Sequence, residues 1–254
     1  MTNQIARLIP LGTAAIANAT HDNVYMVLDA GNLKVLIDCG GSPSSRVMRA
    51  GLNFTDLNGL IVTHHHPDHI YGVPILLMSL WLLGRRGYFP IYGPAKALQV
   101  IQKMMDLYEW ETWPDFLRVD FREIPLAPSA LVLSNHIVSI EASPMAHMIP
   151  TIGLRMTNHQ TGKVLVYTSD TMRDPEVVHL ARDADILIHE ATGEYYGHST
   201  GADAAHDALE ANAKRLVLIH YPSVRGDPDA VLKEAKAIFQ GPAELAEDFK
   251  VYEF

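Results

Sequence analysis

Thr63-His64-His65-His66-Pro67-Asp68-His69 packs four imidazoles and a carboxylate into seven residues. Neutral imidazole nitrogens and carboxylate oxygens ligate zinc and other borderline divalent metals, and a tight loop can aim several at one point. Proline at 67 stiffens that loop. A chance polar loop or an expression tag would also concentrate histidines. The cluster, however, is internal, contains an acid and follows the apolar run 60–62. His147, Asp170 and His220 stand at the ends of three other short apolar runs, which makes chance a poor account. The seven groups His64, His66, Asp68, His69, His147, Asp170 and His220 suffice for two metal ions. A carboxylate can turn its two oxygens to different cations, so Asp170 is the natural bridge. Two metals about 3.5–4 Å apart can share a hydroxide, generate a nucleophile near neutral pH and clamp both oxygens of a displacement. His65 is expected to face away.

The elements that must position these groups are legible too. Runs rich in Val and Ile at 60–63, 137–140, 164–167, 186–188 and 216–219 predict strands buried on both faces. Helical patterns fall at 74–83, with Pro74 in the first turn, and at 95–107, 202–213 and 228–239. Hairpins are predicted from 152–157 with 163–168, and from 23–28 with 34–38. Hairpins early and strand–helix alternation late suggest two sheets face to face with helices outside. The polar strand ends then build a single site along one rim, in one domain (1–254) of two similar halves.

The chain has 254 residues, 48% of them hydrophobic, which excludes a disordered protein. Twenty Lys and Arg against 29 Asp and Glu give a net charge of −9, which argues against an extensive nucleic-acid surface. One cysteine, Cys39, excludes an intramolecular disulfide and fits a reducing, cytoplasmic setting. The strongest apolar run, 73–83, falls short of the roughly 20 residues that cross a bilayer, and the first ten residues show no secretory signal.

The constellation resembles the metallo-β-lactamase fold superfamily, and within it the ribonuclease Z-like branch. The matching stretches are Leu11-Gly12-Thr13, Leu36-Ile37-Asp38-Cys39-Gly40, the histidine loop through Pro74, Tyr167-Thr168-Ser169-Asp170-Thr171, His189-Glu190-Ala191-Thr192, Gly197-His198-Ser199-Thr200 and Leu216-Val217-Leu218-Ile219-His220. The histidine loop marks the superfamily; the His-Glu-Ala-Thr and His-Ser-Thr elements together are much more specific. The resemblance implies a four-layer αββα sandwich of two mixed β-sheets. It implies one metal on His64, His66 and His147, another on Asp68, His69 and His220, and Asp170 between them. Zinc is the expected metal, with manganese or iron compatible. Asp68 would orient the bridging hydroxide, and His198, oriented by Glu190, would assist the leaving group of a phosphodiester.

Three departures matter. Ribonuclease Z proper carries a basic, glycine-rich arm that grips tRNA, whereas only a short hairpin separates His147 from Asp170 here. Gly41-Ser42-Pro43 stands where the family usually has an acidic residue and Gly-Thr, and Tyr221-Pro222-Ser223-Val224-Arg225 matches the Phe-Ser-x-Arg pattern only loosely. The expected substrate is therefore an RNA 3′ end or a small or cyclic phosphodiester. Arg85, Arg86, Lys96 and Lys103 make a small basic excess that reads as a solvated helix face. The aromatic, acidic segment 108–118 suits a lid, a dimer contact or a cover over the core, and the resemblance would place 73–83 at a homodimer interface. Alternatives are a lactone or thioester hydrolase, a β-lactamase, and a non-hydrolytic di-iron or metal-binding protein. Lactone and thioester relatives generally lack the Glu190/His198 pair. True lactamases put a different group at the Asp170 position. Redox relatives usually replace the residue at His66 by glutamate and add a flavin domain.

Overall fold

The computed structural model describes residues 5–224 and 226–254; Met1–Gln4, in the stretch searched for a secretory signal, and Arg225, the basic end of the loosely matched pattern, lie outside the described residues. The first half of the chain builds strands β1 (Arg7–Gly12), β2 (Tyr25–Ala30), β3 (Leu33–Ile37), β4 (Gly59–Ile61), β5 (Tyr88–Gly93) and β6 (Arg118–Glu123). The second half builds β7 (Ala130–Ser134), β8 (Val138–Met145), β9 (Thr151–Asn158), β10 (Val164–Tyr167), β11 (Ile186–Glu190), β12 (Leu216–Ile219) and β13 (Ala243–Leu245). A last strand, β14 (Tyr252–Glu253), returns to pair with β1.

These strands form two seven-stranded sheets, ordered β14-β1-β2-β3-β4-β5-β6 and β13-β12-β11-β10-β9-β8-β7. In the first sheet the hairpin β2–β3 leads into parallel β3, β4, β5 and β6. In the second, antiparallel β7, β8, β9 and β10 lead into parallel β10, β11, β12 and β13. Both sheets are mixed, as the family resemblance implied.

Period-two alternation explains why β10, β11 and β12 are buried along their whole length. Leu165 and Tyr167 point into a core between the sheets, shared with Leu28, Ile37 and Leu154. Val164 and Val166 point the other way, onto helices α5 (Pro175–Leu180), α6 (Gly201–Glu210) and α7 (Pro228–Ile238) through Val177, Ala204 and Ala235. The outer face of the first sheet packs Ile9, Val27 and Leu36 with side chains of α1 (Pro43–Arg49), α3 (Val73–Leu82) and α4 (Ala95–Asp106). The short α2 (Pro67–Ile70) carries the end of the histidine loop. The result is four layers, helices–sheet–sheet–helices.

Segment 108–118 covers the first helical layer. Trp113 stacks on Trp81 at 5.3 Å between ring centres, and Phe116 meets both edge-on. Arg85 and Arg86 donate to the carbonyls of Thr55 and Trp81, which ties them to the ends of local elements. On α3, Ile75, Leu82 and the following Leu83 stay exposed. No helix among the described residues is long and apolar enough to cross a membrane.

Candidate metal centre

All the predicted donors meet at the carboxyl ends of strands from both sheets. His64 and His66 follow β4, Asp68 and His69 lie on α2, His147 follows β8, Asp170 follows β10 and His220 follows β12. His64 Nε2 lies 3.2 Å from His66 Nδ1, and His147 Nε2 lies 3.1 Å from the same atom. Asp170 divides its two oxygens between two groups. Oδ2 is 3.6 Å from His64 Nε2 and 3.9 Å from His147 Nε2. Oδ1 is 3.5 Å from His69 Nε2 and 3.4 Å from His220 Nδ1. Asp68 Oδ2 completes the second group, 3.2 Å from His220 Nε2 and 3.8 Å from His69 Nε2. Within each of the sets His64/His66/His147/Asp170 and Asp68/His69/His220, the donor atoms all lie within 4.8 Å of one another.

The donor chemistry fits divalent metals. His69 Nε2 and Asp170 Oδ1 are buried yet find no hydrogen-bond partner among the described residues. Buried polar atoms are rarely left so, and a bound cation satisfies both. Burial, then the neighbouring His69 imidazole, push His64 well below the usual imidazole range despite Asp170, which favours the neutral form that binds metal. Burial likewise lowers His66 and His147. Burial alone would raise Asp170, but His220, His69 and His64 together hold its carboxyl well below the ordinary range.

The backbone around the donors is built for close approach. Asp38 accepts from Thr63 N at 2.7 Å and from His69 Nδ1 at 2.9 Å, so it fixes the loop and the ring together. A carboxylate on the far nitrogen of a ligating histidine sets its tautomer and raises its basicity. Gly40 lies so near α2 that a Cβ there would fall 1.8 Å from the Asp68 carbonyl oxygen. Ser169 Oγ donates to Thr63 Oγ1 at 2.9 Å, joining the rims of the two sheets. Asp38, Ser169 and His220 all take left-handed backbone, with φ of 59°, 57° and 55°.

Beside this centre lies the Glu190–His198 pair. Glu190 is fully buried and accepts from Thr171 N, Thr192 N, Ser199 N and His198 Nδ1, the last at 3.0 Å. Burial draws the His198 imidazole down, but the Glu190 hydrogen bond and charge outweigh it and leave the group raised. The loop that carries His198 is anchored by α6, where Thr200 and Asp203 cap the first turn reciprocally. Gly197, at φ 84°, presents its carbonyl to His147 Nδ1 at 2.7 Å. A third group of donors this close is Asp170, His198 and His220, and His65 belongs to none of the three.

Asp38 and Gly197 are the residues to which sequence reasoning gave no role. For Asp38 a signal existed, since it ends an apolar run as Asp170 does. For Gly197 none did, because its part is played by a carbonyl.

The donors open into a cavity of about 350 Å³, lined by Asp68, Asp170, His198 and His220 with Tyr195, Met148 and others. Among the described residues no lysine, no arginine and no part of segment 108–118 lines it. A larger groove of about 640 Å³ lies at α5 and α6, lined by the salt-bridged Arg173, Asp207 and Glu210, and holds none of the donors.

Comparison with known proteins agrees with this geometry. The chain is 28% identical to ribonuclease Z of Listeria welshimeri, covering 97% of this chain and 98% of that one. The alignment runs over 310 positions, so the relative carries segments that this 254-residue chain lacks. Ribonuclease Z of Parabacteroides distasonis is 26% identical, covering 90% and 92%. Among solved structures, human tRNase Z, short form, superposes with a TM-score of 0.78 at 28% identity over 97% of this chain and 98% of that one. The metallo-β-lactamase fold protein YhfI of Bacillus subtilis gives 0.83 at 23% identity, covering 99% and 100%. The family described as Anti-Pycsar protein Apyc1 matches residues 6–240. Four-layer architecture, donor set and relatives together make this chain a metal-dependent hydrolase of the metallo-β-lactamase fold, ribonuclease Z-like, and a member of the Apyc1 family.

Proposed function

We propose that residues 1–254 form one hydrolase domain, a dinuclear metal-dependent phosphodiesterase whose substrate is a small or cyclic phosphodiester. The observation that carries this reading is the division of Asp170 between two donor groups, Oδ2 toward His64 and His147 and Oδ1 toward His69 and His220. We assign one ion to His64, His66 and His147, the other to Asp68, His69 and His220, and Asp170 to both. Divalent ions held there, zinc foremost, would supply a nucleophile derived from water and neutralise charge growing on the phosphate oxygens.

The chain's own groups do the rest. Asp68, half-buried in the cavity, is placed to accept a hydrogen bond from the attacking water and keep it aimed at phosphorus. Glu190 holds His198 by Nδ1, so Nε2 is the atom free to give a proton to the leaving oxygen. The raised imidazole favours the cationic form that such donation needs. The Glu190–His198 pair favours a phosphodiester over a lactone or thioester. A cavity of about 350 Å³ is of the size that encloses a small molecule. Resemblance to ribonucleases Z supports the second reading, an RNA 3′ end.

The test is hydrolysis of bis(p-nitrophenyl) phosphate by zinc- or manganese-loaded protein, with elemental analysis alongside. We expect two ions per chain and clear turnover, with Asp170→Ala reduced to background. Turnover equal to that of Asp170→Ala rejects the reading. Preference for a single-stranded RNA oligonucleotide over small diesters would select the RNA alternative.

A further inference from the structure

The mouth of the cavity is ringed by apolar side chains that stay in solvent. Ile16 is 62% exposed, Met148 50%, Val224 53% and Tyr195 67%, and each comes from a different loop. Apolar groups gathered at the edge of a polar site mark a surface that something apolar covers. Tyr195 differs from the other three because it belongs to the loop that carries His198. His198 N donates to Tyr195 O at 3.0 Å, Tyr195 N donates to Gly193 O at 2.7 Å, and Gly193 N donates to Ser199 O at 2.9 Å. Its ring lies back over Gly193, where a Cβ would sit 3.7 Å from the ring edge. The loop therefore fixes the Tyr195 backbone beside that of His198.

We propose that Tyr195 is a specificity-determining residue that stacks on an uncharged, planar ring attached to the leaving oxygen of the substrate. This rests on the phosphodiesterase reading, because His198 marks the leaving-group side only if it protonates that oxygen. An uncharged ring suits this rim, because Ile16, Met148 and Val224 offer it apolar neighbours and, among the described residues, no lysine or arginine lines the cavity to pair with an anionic one. A planar group gains most from an aromatic partner that is fixed by its backbone and free on its outer face.

The experiment follows turnover of methyl p-nitrophenyl phosphate by metal-loaded protein and measures competitive inhibition by methyl phenyl phosphate and by dimethyl phosphate. Wild type, Tyr195→Ala and Tyr195→Phe are compared. The ratio of the two inhibition constants cancels changes in how the phosphate itself is held. We expect methyl phenyl phosphate to bind more tightly in the wild type, with that advantage falling about tenfold in Tyr195→Ala and returning in Tyr195→Phe. An unchanged ratio in Tyr195→Ala overturns the proposal while wild-type turnover upholds the phosphodiesterase reading. An equal loss of both inhibitors in Tyr195→Ala also overturns it, because Tyr195 would then only shape the loop. No wild-type turnover overturns the phosphodiesterase reading, and this proposal with it.

Discussion

His69 and His189 are both fully buried, both stand near the carboxyl end of a strand, and both meet a carboxylate. Their second nitrogens separate them. His189 Nδ1 donates to the Glu190 carbonyl at 2.7 Å and Nε2 to Asp207 Oδ2 at 3.3 Å, while Arg173 closes the far side of Asp207 at 2.9 Å. Among the described residues, both ring nitrogens and both Asp207 oxygens of that network have partners. His69 donates Nδ1 to Asp38 and leaves Nε2 unsatisfied among Asp68, Asp170 and His220. Burial does not distinguish a ligand from a structural histidine. A buried nitrogen aimed at other unsatisfied donors does.

The sharpest way to break this contrast is to remove each ring. His69→Ala should leave fewer than two metal ions per chain by elemental analysis and bring turnover to background, whereas His189→Gln should still bind two. A metal deficit in His189→Gln of the size seen in His69→Ala would erase the distinction.

His198 stands between the two cases, with Nδ1 on Glu190 and no hydrogen bond to Nε2 among the described residues. Replacing it by alanine should slow cleavage of a dinucleoside phosphate about 10²- to 10⁴-fold, the usual contribution of a positioned acid. Bis(p-nitrophenyl) phosphate should suffer less, because nitrophenolate leaves without needing a proton. Equal losses on both substrates would mean that His198 does not serve the leaving group.

The smallest effect concerns His189 and is read in stability. Burial lowers this imidazole, but the hydrogen bond and charge of Asp207 outweigh it and leave the group raised. A raised histidine stabilises the fold fully below its unfolded value of about 6.5, and the contribution fades as pH climbs through the folded value. Asp207→Asn should therefore cost about 1–3 kcal/mol near pH 6 by urea denaturation, with the gap narrowing at higher pH. A gap that widens with pH contradicts the assigned charge state.

Much of this was legible in the residues. The runs 164–167 and 216–219 match β10 and β12 to the residue, because strands buried on both faces are continuous apolar sequence. β1 escaped notice because Pro10 argues against a strand; the structure places it beside an irregularity in the pairing with β2. β6, Arg-Val-Asp-Phe-Arg-Glu, is an edge strand in which only Val119 and Phe121 alternate with charged residues, so its period-two signal is too short to stand out. The convergence of the candidate donors was readable because each lies in the histidine loop or just past an apolar run and carries its chemistry in its own side chain. Asp38 and Gly197 act through His69 and His147, and only proximity in space reveals that.

The left-handed backbone at Asp38, Ser169 and His220 has a consequence for how this protein can be improved or can drift. Left-handed backbone at a residue other than glycine costs roughly 1–2 kcal/mol. These three lie in or beside the cluster of candidate donors, Asp38 against His69, Ser169 next to Asp170, and His220 within it. Selection for heat resistance alone would favour glycine at such positions, Ser169 first, since it is not itself a donor. Each exchange would relax the bend that turns its neighbour inward, and Ser169→Gly would also cut the Oγ link between the two rims. Endurance and catalysis therefore pull this chain in opposite directions at a few known addresses, and a stabilised variant is best sought far from them.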